Sequence, residues 1–153
     1  MDQLSACERL GQIRTDKATD QLIQFLKNTD PLVRMSAARA LFYGPKKAEK
    51  PLLEALKDCD DGVRTNAAAS LSSIILLGAS SFDALVQMLD DPCADVRVNV
   101  VNALTRFAGQ KSLEPLFKAL KDSDSMVRQS ALSGINYLVQ DREFPKRFGP
   151  LDL

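Results

Sequence analysis

Apolar residues recur at helical spacing along the chain and mark four copies of one unit. In each copy, two leucines four residues apart precede a Val-Arg dipeptide, and apolar residues follow the valine four and eight positions later. Such spacing places the apolar side chains on one face of a helix. Each copy is therefore predicted to form two helices, and the Val-Arg dipeptides lie at 33–34, 63–64, 96–97 and 127–128.

Aspartate-rich turns separate the two helices of each copy. Asp30, Asp60 and Asp124 stand three residues before the valine, where they are predicted to cap the second helix, whereas the third copy has Cys93 there. Gly44, Gly78 and Gly109 each follow a second helix and are predicted to end it. We expect first helices near 17–27, 47–57, 81–90 and 112–121, and second helices near 31–43, 61–76, 94–108 and 124–139.

The copies differ in the length of the segment between units, and an incomplete copy precedes them. Leu10 stands twelve residues before Leu22, which matches the later spacing between units, so residues near 2–13 are predicted to form one second helix. A helix pair cannot bury its faces alone, so the pairs must stack. The expected organisation is a half-repeat 1–14, repeats of about 15–44, 45–77, 78–109 and 110–140, and a C-terminal tail 141–153.

The tail does not continue the repeat. Pro145, Gly149 and Pro150 interrupt the positions where a fifth first helix would lie. Phe144 and Phe148 are nevertheless too apolar for a purely solvated end. We expect the tail to run extended across the open face of the last pair and bury at least one phenylalanine. The alternative is that it inserts into a neighbouring molecule and drives self-association.

Composition removes several classes of chemistry. The chain has no His, which excludes His-ligated zinc or iron and Ser-His or Cys-His nucleophile pairs. Twenty basic and twenty acidic residues cancel, so no global attraction to nucleic acid is expected. Three widely spaced cysteines fit a reducing cytoplasm, and no apolar run is long enough for a membrane span. We therefore expect no metal, no cofactor, no nucleic-acid partner and no membrane insertion.

The repeated residues resemble a known family. Asp-Pro-Leu-Val-Arg at 30–34, followed by Ala-Ala-Arg-Ala-Leu at 37–41, is similar to the HEAT-like repeat of the phycobilisome-lyase type, as is the segment 114–122. The resemblance implies an all-α, right-handed α-solenoid of about four and a half helix pairs. The family includes bilin lyases, chaperone-like relatives, a hydroxylase whose iron is held by His-Glu pairs, and scaffolds. Without His the hydroxylase activity does not carry over, and no bilin-lyase motif matches residue by residue.

Three groups of polar residues are open to a functional or a structural interpretation. The arginines of the Val-Arg dipeptides could bind phosphates, but a ladder of charge-assisted bonds is favoured, in which each arginine reaches a capping-loop aspartate of the next unit. The capping-loop aspartates are Asp30, Asp60, Asp95 and Asp124. Acidic pairs such as Asp60-Asp61 and Asp90-Asp91 lie in turns, where capping is favoured over metal binding. Cys59 and Cys93 lack a His partner, so a catalytic thiol is disfavoured.

The remaining candidate is a surface. In this family the second helices line the concave face, and the positions two, three, six and ten after the valine carry Tyr, Arg and Asn but no Asp or Glu in the four complete copies. Tyr and Arg are enriched at binding hot spots. We expect a non-enzymatic scaffold that binds a protein or peptide there, with a bilin-lyase or chaperone-like subunit as the alternative. The candidate residues are Met35, Arg39, Tyr43, Asn66, Ala69, Val98, Asn99, Asn102, Arg106, Gln129, Ser133 and Tyr137.

Overall fold

The described part of the chain is helical. The structure is a computed structural model that describes residues 2–74, 79–107 and 109–140, and within these ranges it contains α-helices and short 3-10 segments but no strand. The α-helices are α1 (Gln3–Ile13), α2 (Asp16–Phe25), α3 (Pro31–Ala40), α4 (Glu49–Ala55), α5 (Asp61–Leu71), α6 (Ala79–Gln87), α7 (Ala94–Phe107), α8 (Leu113–Ala119) and α9 (Ser125–Gln140).

The helices form two layers. The second helices α3, α5, α7 and α9 stack in chain order, and α1 packs on α3 in the same layer, as expected for the half-repeat. The first helices α2, α4, α6 and α8 form the other layer, each packed against the second helix of its own unit. The stack is thus a solenoid, as the repeat pattern predicts.

The predicted caps are present at three of the turns. Asp30 accepts a hydrogen bond from the Leu32 N–H at 2.9 Å, and Asp60 accepts one from the Val63 N–H at 3.0 Å. Asp124 accepts bonds from two N–H groups at the start of α9. Each cap satisfies a backbone donor that has no partner within the helix, so these aspartates are committed to helix initiation.

The end of α3 differs from the prediction. The helix ends at Ala40, and Tyr43, not Gly44, has the left-handed backbone conformation, with φ 63°. Gly44 is required for another reason, because a Cβ there would lie 2.6 Å from the Leu41 carbonyl oxygen. Left-handed backbone is unfavourable for a tyrosine, so the surrounding structure must stabilise it. The other predicted glycine caps, Gly78 and Gly109, do not test this rule, since 75–78 and 108 lie outside the described residues.

The core follows the repeated apolar columns. The first leucine of each repeated pair and the valines of the Val-Arg dipeptides are almost fully buried, and they join one continuous cluster through the stack. Leu26 and Leu120, the second leucines of two pairs, are partly buried and pack against this cluster. Full burial of one such side chain contributes about 1.5–3 kcal/mol. The fully buried members include Leu52, Leu85, Leu116, Val63, Val96 and Val127.

A column of small residues sets the distance between units. Seven positions after each valine stand Ala40, Ser70, Ala103 and Gly134. These residues face the preceding unit: Ser70 donates a hydrogen bond to the Ala38 carbonyl at 2.7 Å, and a Cβ on Gly134 would collide with Thr105. Larger side chains would push the second helices apart, so this column controls the stacking.

Candidate functional site

The arginines of the Val-Arg dipeptides form the predicted ladder. Nε and Nη2 of Arg34 fork the Asp58 carboxylate, both at 2.8 Å. Arg64 binds Asp91 and Arg97 binds Asp122 in the same two-pronged way, at 2.8 to 3.1 Å. In each case the carboxylate belongs to the next unit. The three arginines are therefore engaged in joining units and offer no free phosphate-binding fork.

The prediction that the arginines bind the capping-loop aspartates is wrong, because the ladder uses another aspartate of each turn. Asp58, Asp91 and Asp122 begin their turns, and each also accepts the backbone N–H two residues later. Nη1 of each arginine donates to two carbonyls of its own turn, at 2.9 and 3.0 Å in the case of Arg34. Each guanidinium thus fastens its own turn and the following one together.

Charge pairing shifts the ionisation of these groups. The Arg34 guanidinium holds the pKa of Asp58 below its ordinary value, and Arg97 lowers the pKa of Asp122 in the same way. The carboxylates in turn raise the pKa of Arg34, Arg64 and Arg97. The pairs therefore remain charged at neutral pH.

The two ends of the ladder differ from its middle. At the start, Asn28 occupies the position of the turn aspartate and donates to Oε1 of Gln3 at 3.2 Å, so the first rung is uncharged. At the other end, Nη1 of Arg128 donates to the Asp122 and Ser123 carbonyls at 2.8 Å. Among the described residues, no carboxylate forms an ion pair with Arg128.

The candidate residues of the concave face lie on the second helices, with Tyr43 just beyond α3. Tyr43 and Tyr137 are 60% and 65% exposed, and both rings are therefore available to a partner. Asn66 and Asn99 are half-buried, and each amide donates to the carbonyl four residues earlier. The other exposed candidates are Arg39, Asn102, Arg106, Gln129 and Ser133, and the other half-buried ones are Met35, Ala69 and Val98.

A cavity lies at the α1–α3 end of this face. Its volume is about 380 Å³, and Arg14, Arg39 and Tyr43 line it. The Arg14 guanidinium lies over the Tyr43 ring, 5.4 Å from the centroid, and both residues have left-handed backbone conformations. The Tyr43 N–H donates to Ser73 Oγ at 2.7 Å, which helps to hold the strained residue. At Arg14 this conformation ends α1, whereas at Tyr43 it lies beyond the helix end, and left-handed backbone at non-glycine residues recurs at binding sites.

Sequence reasoning missed the contribution of the half-repeat to this cavity. Glu8 and Gln12 line it and stand where the six and ten positions fall when the register is extended back to Asp2. Glu8 pairs with Arg39 at 3.0 Å, so the complete face does contain one acidic side chain. Both partners are more than 60% exposed, so the pair stabilises the fold by less than about 1 kcal/mol. Extending the repeat register into α1 would have identified both residues.

The acidic pairs and cysteines have local roles. Asp60 caps α5, Asp91 belongs to the ladder and exposed Asp90 binds Lys118 at 2.9 Å. Burial raises the pKa of the Cys7 thiol, whereas Cys59 is exposed. The described residues contain no group of three or more His, Cys, Asp or Glu side chains arranged to hold a metal ion. A search of the same residues found no helix with the length and apolarity needed to cross a membrane.

The sequence matches one family model over most of its length. The model is that of HEAT repeats, and it matches residues 2–72 and 82–138. No protein with curated annotation matches the chain.

Several solved structures share the fold. A chain in the complex of CpcE and CpcF of phycocyanin lyase from Nostoc sp. PCC7120 is 24% identical with a TM-score of 0.77, covering 94% of this chain and 62% of that one. An engineered protein is 25% identical with a TM-score of 0.63, covering 87% and 67%. A designed armadillo repeat protein in complex with the peptide (KR)4 is 23% identical with a TM-score of 0.64, covering 86% and 73%. This chain therefore spans about three fifths of the lyase chain that it matches.

Proposed function

This chain belongs to the HEAT-repeat family, and on that premise we propose that it is a non-enzymatic scaffold that binds a protein or peptide on its concave face. The observation that carries the proposal is the exposure of Tyr43 and Tyr137 on the layer of second helices. Large aromatic side chains left in water on a soluble protein favour a partner that covers them. The designed armadillo protein holds a (KR)4 peptide, so a related architecture can carry a peptide.

The cavity beside Tyr43 supplies the anchoring chemistry. Arg14 stacks on the tyrosine ring and forms no ion pair among the described residues. The Arg14 guanidinium can donate hydrogen bonds to a carboxylate of a partner while the Tyr43 ring contacts an apolar side chain. A partner segment with an acidic residue next to an apolar one fits this cavity.

A displayed peptide library panned against the full chain tests the proposal. Selected peptides are then measured against a concave variant in which Tyr43, Asn102 and Tyr137 are replaced by Ala. We expect the variant to keep its helical circular-dichroism signal and to lose binding. The matched control carries Gln24→Ala, Glu54→Ala and Gln87→Ala on the first helices and should bind as wild type. Peptides that bind the concave variant with wild-type affinity would place the site elsewhere.

A second candidate function rests on the similarity to the CpcE–CpcF complex. In this alternative the chain is a bilin-lyase or chaperone-like subunit that requires a second chain to complete its site. Covalent transfer of a linear tetrapyrrole to apo-phycocyanin, detected as visible absorbance that survives denaturation, would support it. Transfer that does not depend on this chain, with candidate second chains present, would exclude it.

A further inference from the structure

The last helix pair has a face that no later helix pair of the described residues covers, and this face has the features of an interface between units. Leu132, on α9, is 52% exposed, whereas the residues at its position in the preceding units, Ala38, Ala68 and Val101, are fully buried by the next unit. Phe117, on α8, is 46% exposed. Arg128 lies in the first turn of α9, where the ladder arginines lie in the preceding second helices. Its guanidinium donates to two backbone carbonyls. Its Nε and Nη2 are the donors that fork a carboxylate in the three preceding units.

We propose that residues 141–153 of this chain cover that face as a strap. In this arrangement the Asp152 carboxylate accepts hydrogen bonds from Nε and Nη2 of Arg128. In the three complete rungs the aspartate follows its arginine by 24, 27 and 25 residues. Asp152 follows Arg128 at the first of these distances. Asp152 in the strap thus takes the role that the turn aspartate of the following unit has in the three complete rungs.

The length of the tail is sufficient for this contact. Arg128 lies about 18 Å back along α9 from Gln140, at 1.5 Å per residue. The segment from 141 to 152 spans up to about 40 Å when extended, so it can return along the helix with slack. Pro145 and Pro150 keep it from forming a helix interior, which favours a strap over a fifth pair.

The composition of the tail matches the face that it would cover. Leu151 and Leu153 flank Asp152, and Phe148 precedes it. These apolar side chains are suited to Leu132 and Phe117, while the carboxylate is suited to the guanidinium. A second copy stacked end to end fits less well. At the described start of the solenoid, the Asp2 carboxylate already caps α1, and those of Asp16 and Asp20 pair with Lys47.

A double-mutant cycle on the full chain tests the ion pair. The variants are Arg128→Gln, Asp152→Asn and the double variant, with Arg97→Gln and Asp122→Asn as a reference for a complete rung. We expect each single substitution to lower Tm by about 2–4 °C and the double variant to be no less stable than either single variant. Asp141→Asn and Glu143→Gln are the matched controls and should leave Tm unchanged. Additive losses, or coupling of Arg128 to a control acid, would overturn the assignment.

Trypsin cleavage after Arg147 provides a second measurement that does not depend on global stability. The strap should protect this bond, and Arg128→Gln or Leu132→Glu should accelerate its cleavage about tenfold by releasing the tail. Equal cleavage in all variants would refute the strap. Light scattering at low and high protein concentration identifies the occupant. A concentration-dependent dimer that is lost in Arg128→Gln would replace the strap with a second copy and overturn the proposal.

Discussion

Arg64 connects two units through an ion pair that is almost buried. It forks Asp91, and the two side chains are only 12% and 4% exposed. Its Nη1 also donates to the Asp58 and Cys59 carbonyls. The phosphate-row interpretation would require this guanidinium to be free, whereas the contacts show that it connects two units.

Replacement of Arg64 by Ala is therefore expected to act on stability and not on binding. The loss should be about 3 kcal/mol, because the Asp91 carboxylate is left buried without its partner. Urea denaturation measures the loss, and the affinity of a selected peptide should stay within a few-fold of wild type. Lys118→Ala, which breaks the exposed pair with Asp90, is the control and should change stability by less than about 0.5 kcal/mol. Lost binding with unchanged stability would contradict the structural role.

The lowered pKa values of Asp58 and Asp122 predict an acid limb of stability. A carboxylate whose pKa is lower in the folded chain stabilises the fold above its unfolded pKa, and this contribution is lost as the pH falls through the folded value. Stability from these pairs should be constant down to about pH 5 and decline below about pH 4. Urea midpoints of wild type and Asp58→Asn/Asp122→Asn should converge in acid. A difference that does not change with pH would contradict this mechanism.

At the scale of the element, Gly134 marks where α9 approaches α7. A Cβ there would collide with Oγ1 of Thr105, and that hydroxyl is held by its bond to the Val101 carbonyl at 2.9 Å. Ala is favoured over Gly inside a helix by about 1 kcal/mol, whereas overpacking costs about 1–3 kcal/mol. The collision should outweigh the helix preference.

We accordingly expect Gly134→Ala to destabilise the chain by about 1 kcal/mol. In a Thr105→Ala background the same change should be neutral or stabilising, because the collision is removed. Ser133→Ala, at the neighbouring exposed position, controls for helix preference alone. Free energies of unfolding for these four variants and wild type decide the matter. An equal loss in both backgrounds would show that Thr105 is not the cause.

The helices were predictable because the apolar columns repeat. The partners of the arginines and the conformation of the turn after α3 were not. The Asp caps and the pairing of Arg34, Arg64 and Arg97 with the next unit are confirmed, and the fold is an α-solenoid. The rung aspartate was predicted wrongly, because each turn that supplies a rung offers at least two aspartates and only the rotation between units selects among them. Likewise the left-handed residue is Tyr43 and not Gly44, since the turn geometry outweighed local preference. Seven of the twelve candidate residues of the face are exposed and five are half-buried, and whether a partner uses them stays a prediction.

At the scale of the whole molecule, the stack has an end that the described residues leave uncovered. Leu132 and Phe117 are exposed there, and uncovered apolar repeat faces favour association. A chain shortened by residues 141–153 should therefore melt at lower temperature or aggregate. Thermal melting and light scattering measure the two effects.

A compensating variant makes the truncation experiment specific. Leu132→Glu in the shortened chain should restore solubility, because it removes the apolar contact and leaves the core intact. If the shortened chain stays monomeric and melts like wild type, the tail has no capping role.

The position of the ladder determines how the solenoid can flex. The three arginine–aspartate pairs, whose shortest N–O distances are 2.8 Å, all lie at the edge of the solenoid where second helices begin. They hold successive units at a fixed separation along that edge. The opposite edge, where second helices end, has linking segments of unequal length and weaker links between units. Lys47 pairs there with the exposed Asp16 and Asp20, and the Tyr43 N–H donates to Ser73 Oγ. Bending must therefore fan the units apart at the edge that carries Tyr43 and Tyr137. Motion at this edge would therefore hold or release a bound segment, while the distance between units at the ladder edge stays constant.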